Sequence, residues 1–104
     1  MDVFTALADP TRREIVSLLA RGERPAGDIA GRFAIAGPSV SRHLKVLRET
    51  GVVSYRQQAQ ARIYRLEPSA LEQARSWMQA QIDSLDATFD RLGDHLERMK
   101  KRGD

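Results

Sequence analysis

The sequence predicts a mainly α-helical fold with one small β-hairpin. Three observations support this expectation. Apolar residues recur at spacings of three and four along several segments that begin or end at proline or glycine. Two runs rich in Val and Tyr flank "QQAQ" within residues 52–66, which favours a hairpin. A strict 4-3-4-3 apolar spacing then runs from Met78 to Met99, as is typical of a helix that packs against another helix.

The first two helices are predicted within "MDVFTALADPTRREIVSLLA". Asp9 is expected to cap the second helix, because Pro10 suits its first position, where the missing N–H costs nothing. Arg21 and Gly22 are the cation and the glycine expected at its end. The apolar positions are Val3, Phe4 and Leu7 in the short first helix, and Ile15, Leu18 and Leu19 in the second.

Two further helices are predicted on either side of a tight turn. The first begins at Pro25, the turn "AIAG" ends at Gly37, and the second begins at Pro38. Gly51 is placed to follow the C-cap of the second helix. The buried stripes are Ala26, Ile29, Ala30 and Phe33 in the first of these helices, and Val40, Leu44 and Leu47 in the second.

The rest of the chain is expected to form the hairpin and one long helix that begins at Pro68. The predicted strands are Val52–Arg56 and Ala61–Leu66. Two short helices joined by a glycine-containing turn and followed by a hairpin make a winged helix-turn-helix. The apolar positions of the long helix are Leu71, Ala74, Met78, Ile82, Leu85, Phe89, Leu92, Leu96 and Met99.

Composition excludes several classes of protein. A chain of 104 residues suffices for one domain with a modest core. The absence of cysteine excludes disulfides and thiolate metal sites. We expect no signal peptide and no membrane span, because the first ten residues lack a basic region and no 18-residue apolar run occurs. A cytoplasmic location fits this composition.

The net charge of +3 is unevenly distributed. Residues 1–66 hold 11 Lys/Arg and 6 Asp/Glu, whereas residues 67–104 hold 6 and 8. A basic first part suggests a polyanionic partner, and a solvated Arg-rich surface is the alternative.

The predicted helix from Pro38 to Thr50 has a polar face that it cannot bury. At 100° per residue its three apolar residues lie within about 60° of one another. The other side carries Ser41, Arg42, Lys45 and Arg48. Such a face fits a major groove, where Ser and Arg reach base edges or phosphates. A charged face alone is usually solvated, but the preceding helix, the turn and a basic hairpin favour DNA binding.

Two features of this region have alternative interpretations. His43 flanks the buried stripe and is either a partly buried structural histidine or a base or phosphate contact. Arg56 and Arg62 flank the hairpin tip, where they would clamp phosphates or a minor groove, whereas isolated strand arginines would have no such role. Tyr55 and Tyr64 are expected to pack between the hairpin and the helix.

The motifs "LADPTRR", "SVSRHLKVLRETGVV" and "YRL" occur in this order, and Phe4 to Leu66 resembles an ArsR-type winged-helix repressor. The resemblance continues into the last helix. It implies that the helix with "SVSRHL" recognises DNA, that the hairpin is the wing, and that the first and last helices form a homodimer interface. The expected DNA contacts, with Lys45 added from the polar face, are Ser39, Ser41, Arg42, His43, Lys45, Arg56, Gln58, Gln60 and Arg62. The expected dimer residues are Phe4, Leu7, Leu85, Phe89, Leu92 and Leu96.

The chain departs from metal-sensing members of the family. The helix "PAGDIAGRF" has no cysteine, and the last helix has only His95 beside Asp94 and Glu97, which is a poor site for a borderline metal. We therefore predict no metal and no cofactor. The more apt comparison is with cysteine-free members, which include autorepressors.

These observations predict one winged helix-turn-helix domain over residues 1–104, with a DNA-binding core at 1–66, a wing at about 52–66 and a dimerisation helix at 67–104. The expected function is a cytoplasmic homodimeric repressor that binds a pseudo-palindromic double-stranded operator through the helix at 38–50 and the wing. The alternatives are a winged-helix protein-interaction module and a derepressor that responds to a metal or small molecule. The sequence names no inducer.

An enzyme is not expected. The chain has neither a cysteine nucleophile nor a glycine-rich phosphate loop. The proximity of Ser41 and His43 is adjacency on a helix rather than triad geometry.

Overall fold

The computed structural model describes residues 2–102, which form a mainly helical fold with a small antiparallel sheet. The elements in chain order are α1 (Val3–Leu7), α2 (Pro10–Leu19), β1 (Arg24–Pro25), α3 (Ala26–Ala30), α4 (Gly37–Glu49), β2 (Val53–Gln58), β3 (Ala61–Leu66) and α5 (Pro68–Arg102). They belong to two compact units, which divide within α5 after Glu72. The predicted domain organisation stays a prediction.

The predicted helix ends at Asp9–Pro10 and at Gly51 are confirmed. Two others differ from the prediction, because α2 ends at Leu19, before Arg21 and Gly22, and α4 begins at Gly37, one residue before Pro38. The Asp9 carboxylate caps α2 by accepting the backbone N–H of Arg12 at 3.0 Å, and Pro10 takes the first helical position. Gly51 follows the C-cap of α4 with φ +78°, a conformation that L side chains adopt rarely.

The core of the first unit lies where α2, α3 and α4 meet the sheet. The apolar stripes predicted for α2 and α4 are buried, as is Ile29 of α3. The most deeply buried side chains are Ile15, Ile29, Val40, Leu47, Val52 and Val53. This packing holds α4 by one face and leaves the other face outward.

The sheet has three strands in the order β1-β3-β2, all antiparallel. The predicted hairpin is confirmed, with Tyr55 opposite Tyr64, but its first strand runs from Val53 to Gln58 rather than from Val52 to Arg56. The prediction that a helix begins at Pro25 is wrong by one residue, because Pro25 lies in β1 opposite Ile63 and precedes the first residue of α3. A proline is compatible with an edge strand, since it need not donate to a neighbour.

The helix α3 is shorter than its apolar stripe predicts. It ends at Ala30, so Phe33 lies in the following loop rather than on the helix. The backbone N–H groups of Arg32 and Phe33 donate to Ile29 and Ala30 in a tightened last turn. Phe33 still packs against the core, which explains why its spacing resembles that of a helical residue.

The second unit, from Gln73, is the continuation of α5. Its large apolar residues are all between 48% and 60% exposed. We call the set that keeps the 4-3-4-3 spacing the seam, which consists of Met78, Ile82, Leu85, Phe89, Leu92, Leu96 and Met99. No helix within residues 2–102 has both the length and the apolar character needed to cross a membrane.

Candidate nucleic-acid interface

The outward face of α4 carries the polar side chains that the sequence places there. Pro38 lies in the first turn, and the inward residues of the helix are buried in the core. Ser41, Arg42 and Lys45 are exposed, whereas Ser39 and Arg48 are half-buried. One helix therefore presents two hydroxyl groups and three cations that are exposed or half-buried.

The two exposed cations on this face have different local partners. The Arg42 guanidinium donates through Nη2 to the Ser39 hydroxyl at 3.1 Å. Nζ of Lys45 lies 3.9 Å from a carboxylate oxygen of Glu49, one turn further along α4. The bond to Ser39 leaves the Arg42 charge uncompensated, while Glu49 offsets part of the Lys45 charge.

His43 faces α2 rather than the exposed face. Its side chain is half-buried, with Nδ1 at 3.4 Å from Nη1 of Arg12 and 3.8 Å from an Asp9 carboxylate oxygen. The backbone N–H of Arg12 holds the pKa of Asp9 below its usual value, and the charges of His43 and Arg12 act in the same direction. This geometry suits the structural interpretation of His43, and its predicted DNA contact stays a prediction.

The wing consists of β2, β3 and the turn between them, residues 53–66. Arg56 forms an ion pair with Glu23, whose carboxylate oxygen lies 2.7 Å from Nη1 of Arg56. Nη2 of Arg56 donates to the Gln58 side chain at 3.2 Å. Gln60 is exposed in the turn, next to Ala59 with φ +55°. The pair of Arg56 with Glu23 is not predictable from local sequence patterns, because the two residues lie far apart in the chain.

Two arginines lie against one tyrosine ring at the base of the wing. The guanidinium carbon of Arg62 is 4.5 Å from the centre of the Tyr55 ring, and that of Arg48 is 5.4 Å away. The rings of Tyr55 and Tyr64 lie 5.4 Å apart. Tyr64 belongs to the core cluster that includes Leu44 and Leu47 of α4, and Tyr55 packs against it, which confirms the predicted packing between hairpin and helix. A hydrogen bond with the Tyr64 side chain raises the pKa of Arg62.

Arg48 was absent from the predicted DNA contacts, although it lies on the same face of α4. Its spacing, three residues after Lys45 and seven after Ser41, already places it on the polar face that the sequence predicts. The structure places it between α4 and the wing, where both elements contribute cations.

The predicted dimer residues differ in exposure. Phe4 of α1 is 42% exposed and Leu7 is half-buried. In the second unit, Leu85, Phe89, Leu92 and Leu96 are each at least 50% exposed. Within residues 2–102, no group of three or more His, Asp or Glu side chains could hold a metal ion.

Comparison with known proteins identifies the family. The model of the family described as "Bacterial regulatory protein, arsR family" matches residues 9–55. The transcriptional repressor SdpR of Bacillus subtilis is 43% identical over 77 residues, which cover 74% of this chain and 86% of that protein. The chain belongs to the arsR family of bacterial regulatory proteins.

Other members of the family match more of the chain. The arsenic resistance transcriptional regulator ArsR1 of Pseudomonas putida is 33% identical over 104 residues, covering 98% of this chain and 78% of that protein. The solved structure of an ArsR-like transcriptional regulator from Rhodococcus sp. RHA1 superposes with a TM-score of 0.84 at 25% identity, covering 91% of this chain and 87% of that one. These similarities confirm the predicted fold and the predicted function of a DNA-binding transcriptional regulator, in a family of regulators rather than enzymes.

Proposed function

We propose that this arsR-family protein is a homodimeric repressor that binds a pseudo-palindromic operator, with α4 in the major groove and the wing against adjacent phosphates. The observation that carries the proposal is the outward face of α4. Its inward side is fixed by Val40, Leu44 and Leu47, so Ser41, Arg42 and Lys45 stay available for a partner. Ser, Arg and Lys are the residue types that contact phosphates and base edges.

The roles on α4 follow from side-chain chemistry. Arg42 has a planar fork that suits the O6 and N7 acceptors of guanine, and no carboxylate competes for it among the described residues. Lys45 is a point charge that suits phosphate. The hydroxyls of Ser39 and Ser41 lie near the start of α4, and hydroxyl side chains are among the groups that contact phosphates.

Dimer formation is the second part of the proposal. The seam leaves seven large apolar side chains about half exposed, and burying one such side chain contributes about 1.5–3 kcal/mol. A second copy of the chain carries the same seam with the same spacing, so the two seams can pair about a two-fold axis. The contribution predicted for Phe4 and Leu7 is a further part of this proposal.

Repression follows if the bound dimer blocks RNA polymerase from its promoter. The name of the Bacillus subtilis relative describes it as a transcriptional repressor, which supports the same role for this chain. An operator in front of its own gene would make the protein an autorepressor. Binding to the bacterial chromosome places the protein in the cytoplasm.

Selection of bound duplexes from a random DNA library tests the proposal. We expect an inverted repeat whose half-sites are about 10–10.5 bp apart, because two recognition helices related by a two-fold axis enter successive major grooves. Arg42→Ala should change the selected half-site, whereas Arg98→Ala, in the last turns of α5, should not. Selection of no common sequence by the wild-type protein would contradict the proposal and favour the interaction-module alternative.

A further inference from the structure

A cleft of about 260 Å³ lies between α4 and β3, and Ala26 and Leu44 form the apolar part of its lining. Ser41, Lys45 and Arg48 line it from α4, and Arg62 and Tyr64 line it from β3. Its volume corresponds to several water molecules, which is room for a small tetrahedral anion with bound water. Three of these five side chains are cations, and none carries a carboxylate.

The cations of this region differ in how far they are already neutralised. Lys45 has Glu49 at 3.9 Å, and Arg56 has Glu23 at 2.7 Å. Across the described part of the chain, no carboxylate oxygen lies within 4.0 Å of the guanidinium nitrogens of Arg48 or Arg62. Among the cations that line the cleft, the two that lack an internal counter-ion are therefore Arg48 and Arg62.

Tyr55 restrains both arginines at once. Each guanidinium carbon lies within 5.4 Å of the centre of its ring, at a distance typical of a cation–π contact. Both arginines also line the cleft, so an anion bound there would face two positive charges. Because the ring holds the planar groups in place, less side-chain entropy is lost when an anion binds.

We propose that this cleft binds one backbone phosphate of each operator half-site, with Arg48 and Arg62 as its two charged ligands. The inference rests on the proposed function, and it adds a specific anchor that joins α4 to the wing through the DNA. A guanidinium fork matches a phosphate better than it matches a halide or a single carbonyl oxygen. The ligand is a phosphodiester of DNA, and free inorganic phosphate shares its chemistry.

Neutral methylphosphonate linkages, placed one at a time through one operator half-site, test the proposal. For the wild-type protein, we expect a loss of affinity of at least tenfold at one position. The double variant Arg48→Gln/Arg62→Gln should bind the unmodified duplex at least tenfold more weakly, but it should lose little further affinity at that same position. For the double variant, the slope of log affinity against log salt concentration should be smaller in magnitude by about 0.9 per monomer, the value for one phosphate contact.

Two control variants separate this role from a general effect of charge or folding. Arg21→Gln removes an exposed arginine at the end of α2 and should leave every affinity unchanged. Arg48→Lys keeps the charge and should keep the salt dependence while losing part of the affinity. At equal ionic strength, free phosphate should displace DNA from the wild-type protein more effectively than chloride does. This difference should disappear in variants that lack either arginine.

The outcomes distinguish this inference from the proposed function. If wild type binds its operator and the double variant keeps full sensitivity to every methylphosphonate, the cleft is not a phosphate site and the proposed function still stands. If wild type binds no duplex DNA, both proposals fail. Circular dichroism melting of the double variant would show whether it folds. If it does not fold, Arg48→Lys replaces it in the comparison with wild type.

Discussion

Nη1 of Arg12 lies 3.4 Å from Nδ1 of His43, so the first turn of α2 meets α4 through these two side chains. Nε of the same guanidinium donates to the carbonyl of Ala6 at 2.6 Å, and Nη2 donates to that of Thr5 at 3.1 Å. One arginine therefore satisfies carbonyls at the end of α1 and contacts the helix that carries the candidate DNA-binding face.

Replacing Arg12 by alanine should destabilise the first unit. The two carbonyls lose a charged donor. A hydrogen bond to a charged group contributes about 1.5–3 kcal/mol to the free energy of unfolding. We expect the free energy of unfolding in urea to fall by about 1–3 kcal/mol. Arg21→Ala, an exposed arginine at the other end of α2, should change it by less than about 0.5 kcal/mol. Equal stabilities of the two variants would contradict this role for Arg12.

Asp9 should make stability depend on pH in the acid range. Its pKa is lowered in the folded state from an ordinary value of 3.8, so its carboxylate stabilises the fold fully above that value. This contribution is lost as the pH falls through 3.8 toward the folded-state value. Asp9→Asn keeps a capping side chain without the charge, so the advantage of wild type over the variant should shrink as the pH falls through 3.8. Urea unfolding at several pH values measures this, with Glu14→Gln as an exposed carboxylate control on the same helix.

Leu92→Lys should separate the proposed dimer. The substitution places a charge in the middle of the seam, where it would be buried against the second copy. Light scattering at micromolar concentration should report a monomer, and operator affinity should fall because one half-site offers too few contacts. Ala87→Lys adds the same charge on the opposite face of α5 and should leave the dimer intact. A wild-type monomer at this concentration would contradict the proposed assembly.

Arg42 and Lys45 should affect DNA binding in different ways. Arg42→Ala should cost about 1–3 kcal/mol on the operator and relax the base preference at one position in each half-site. Lys45→Ala should weaken binding to operator and scrambled DNA almost equally. It should also reduce the slope of log affinity against log salt concentration by about one per monomer. Affinities for both duplexes across a salt series distinguish these effects. Unchanged affinities for both variants would mean that α4 does not contact DNA.

Zinc and arsenite should not change operator affinity. The relative from Pseudomonas putida is named for arsenic resistance, but this chain has no cysteine. His95 lies on α5 without two further ligands among the described residues. Anisotropy titrations with and without each metal should superimpose. A tight stoichiometric zinc site in calorimetry, coupled to release of DNA, would overturn the prediction.

The sequence predicted the helices well where local chemistry marks their ends. Asp9 with Pro10 and Gly51 after α4 lie where capping rules place them, since these rules depend on residues a few positions apart. The strand β1 was missed because two residues, one of them Pro25, show no periodicity. Phe33 was misplaced because a loop residue that packs on the core can share a helical spacing.

The sequence predicted which helix and which hairpin form the candidate site, but not which side chains contact each other within it. The exposed face of α4 follows from helical geometry alone, so Ser41, Arg42 and Lys45 could be placed from the sequence. The pair of Glu23 with Arg56 and the contact of Arg48 with the Tyr55 ring depend on how the wing packs against other elements. Local spacing contains no information about such distant partners.

The order β1-β3-β2 also bears on unwanted self-association. Among the described residues, β2 and β1 each pair on one side only, and such edges can template the addition of another strand. β1 is two residues long and contains Pro25, and the outer half of β2 carries Arg56, Gln57 and Gln58. Short, proline-bearing or polar edges resist growth into larger sheets, so this small sheet is protected against edge-to-edge aggregation.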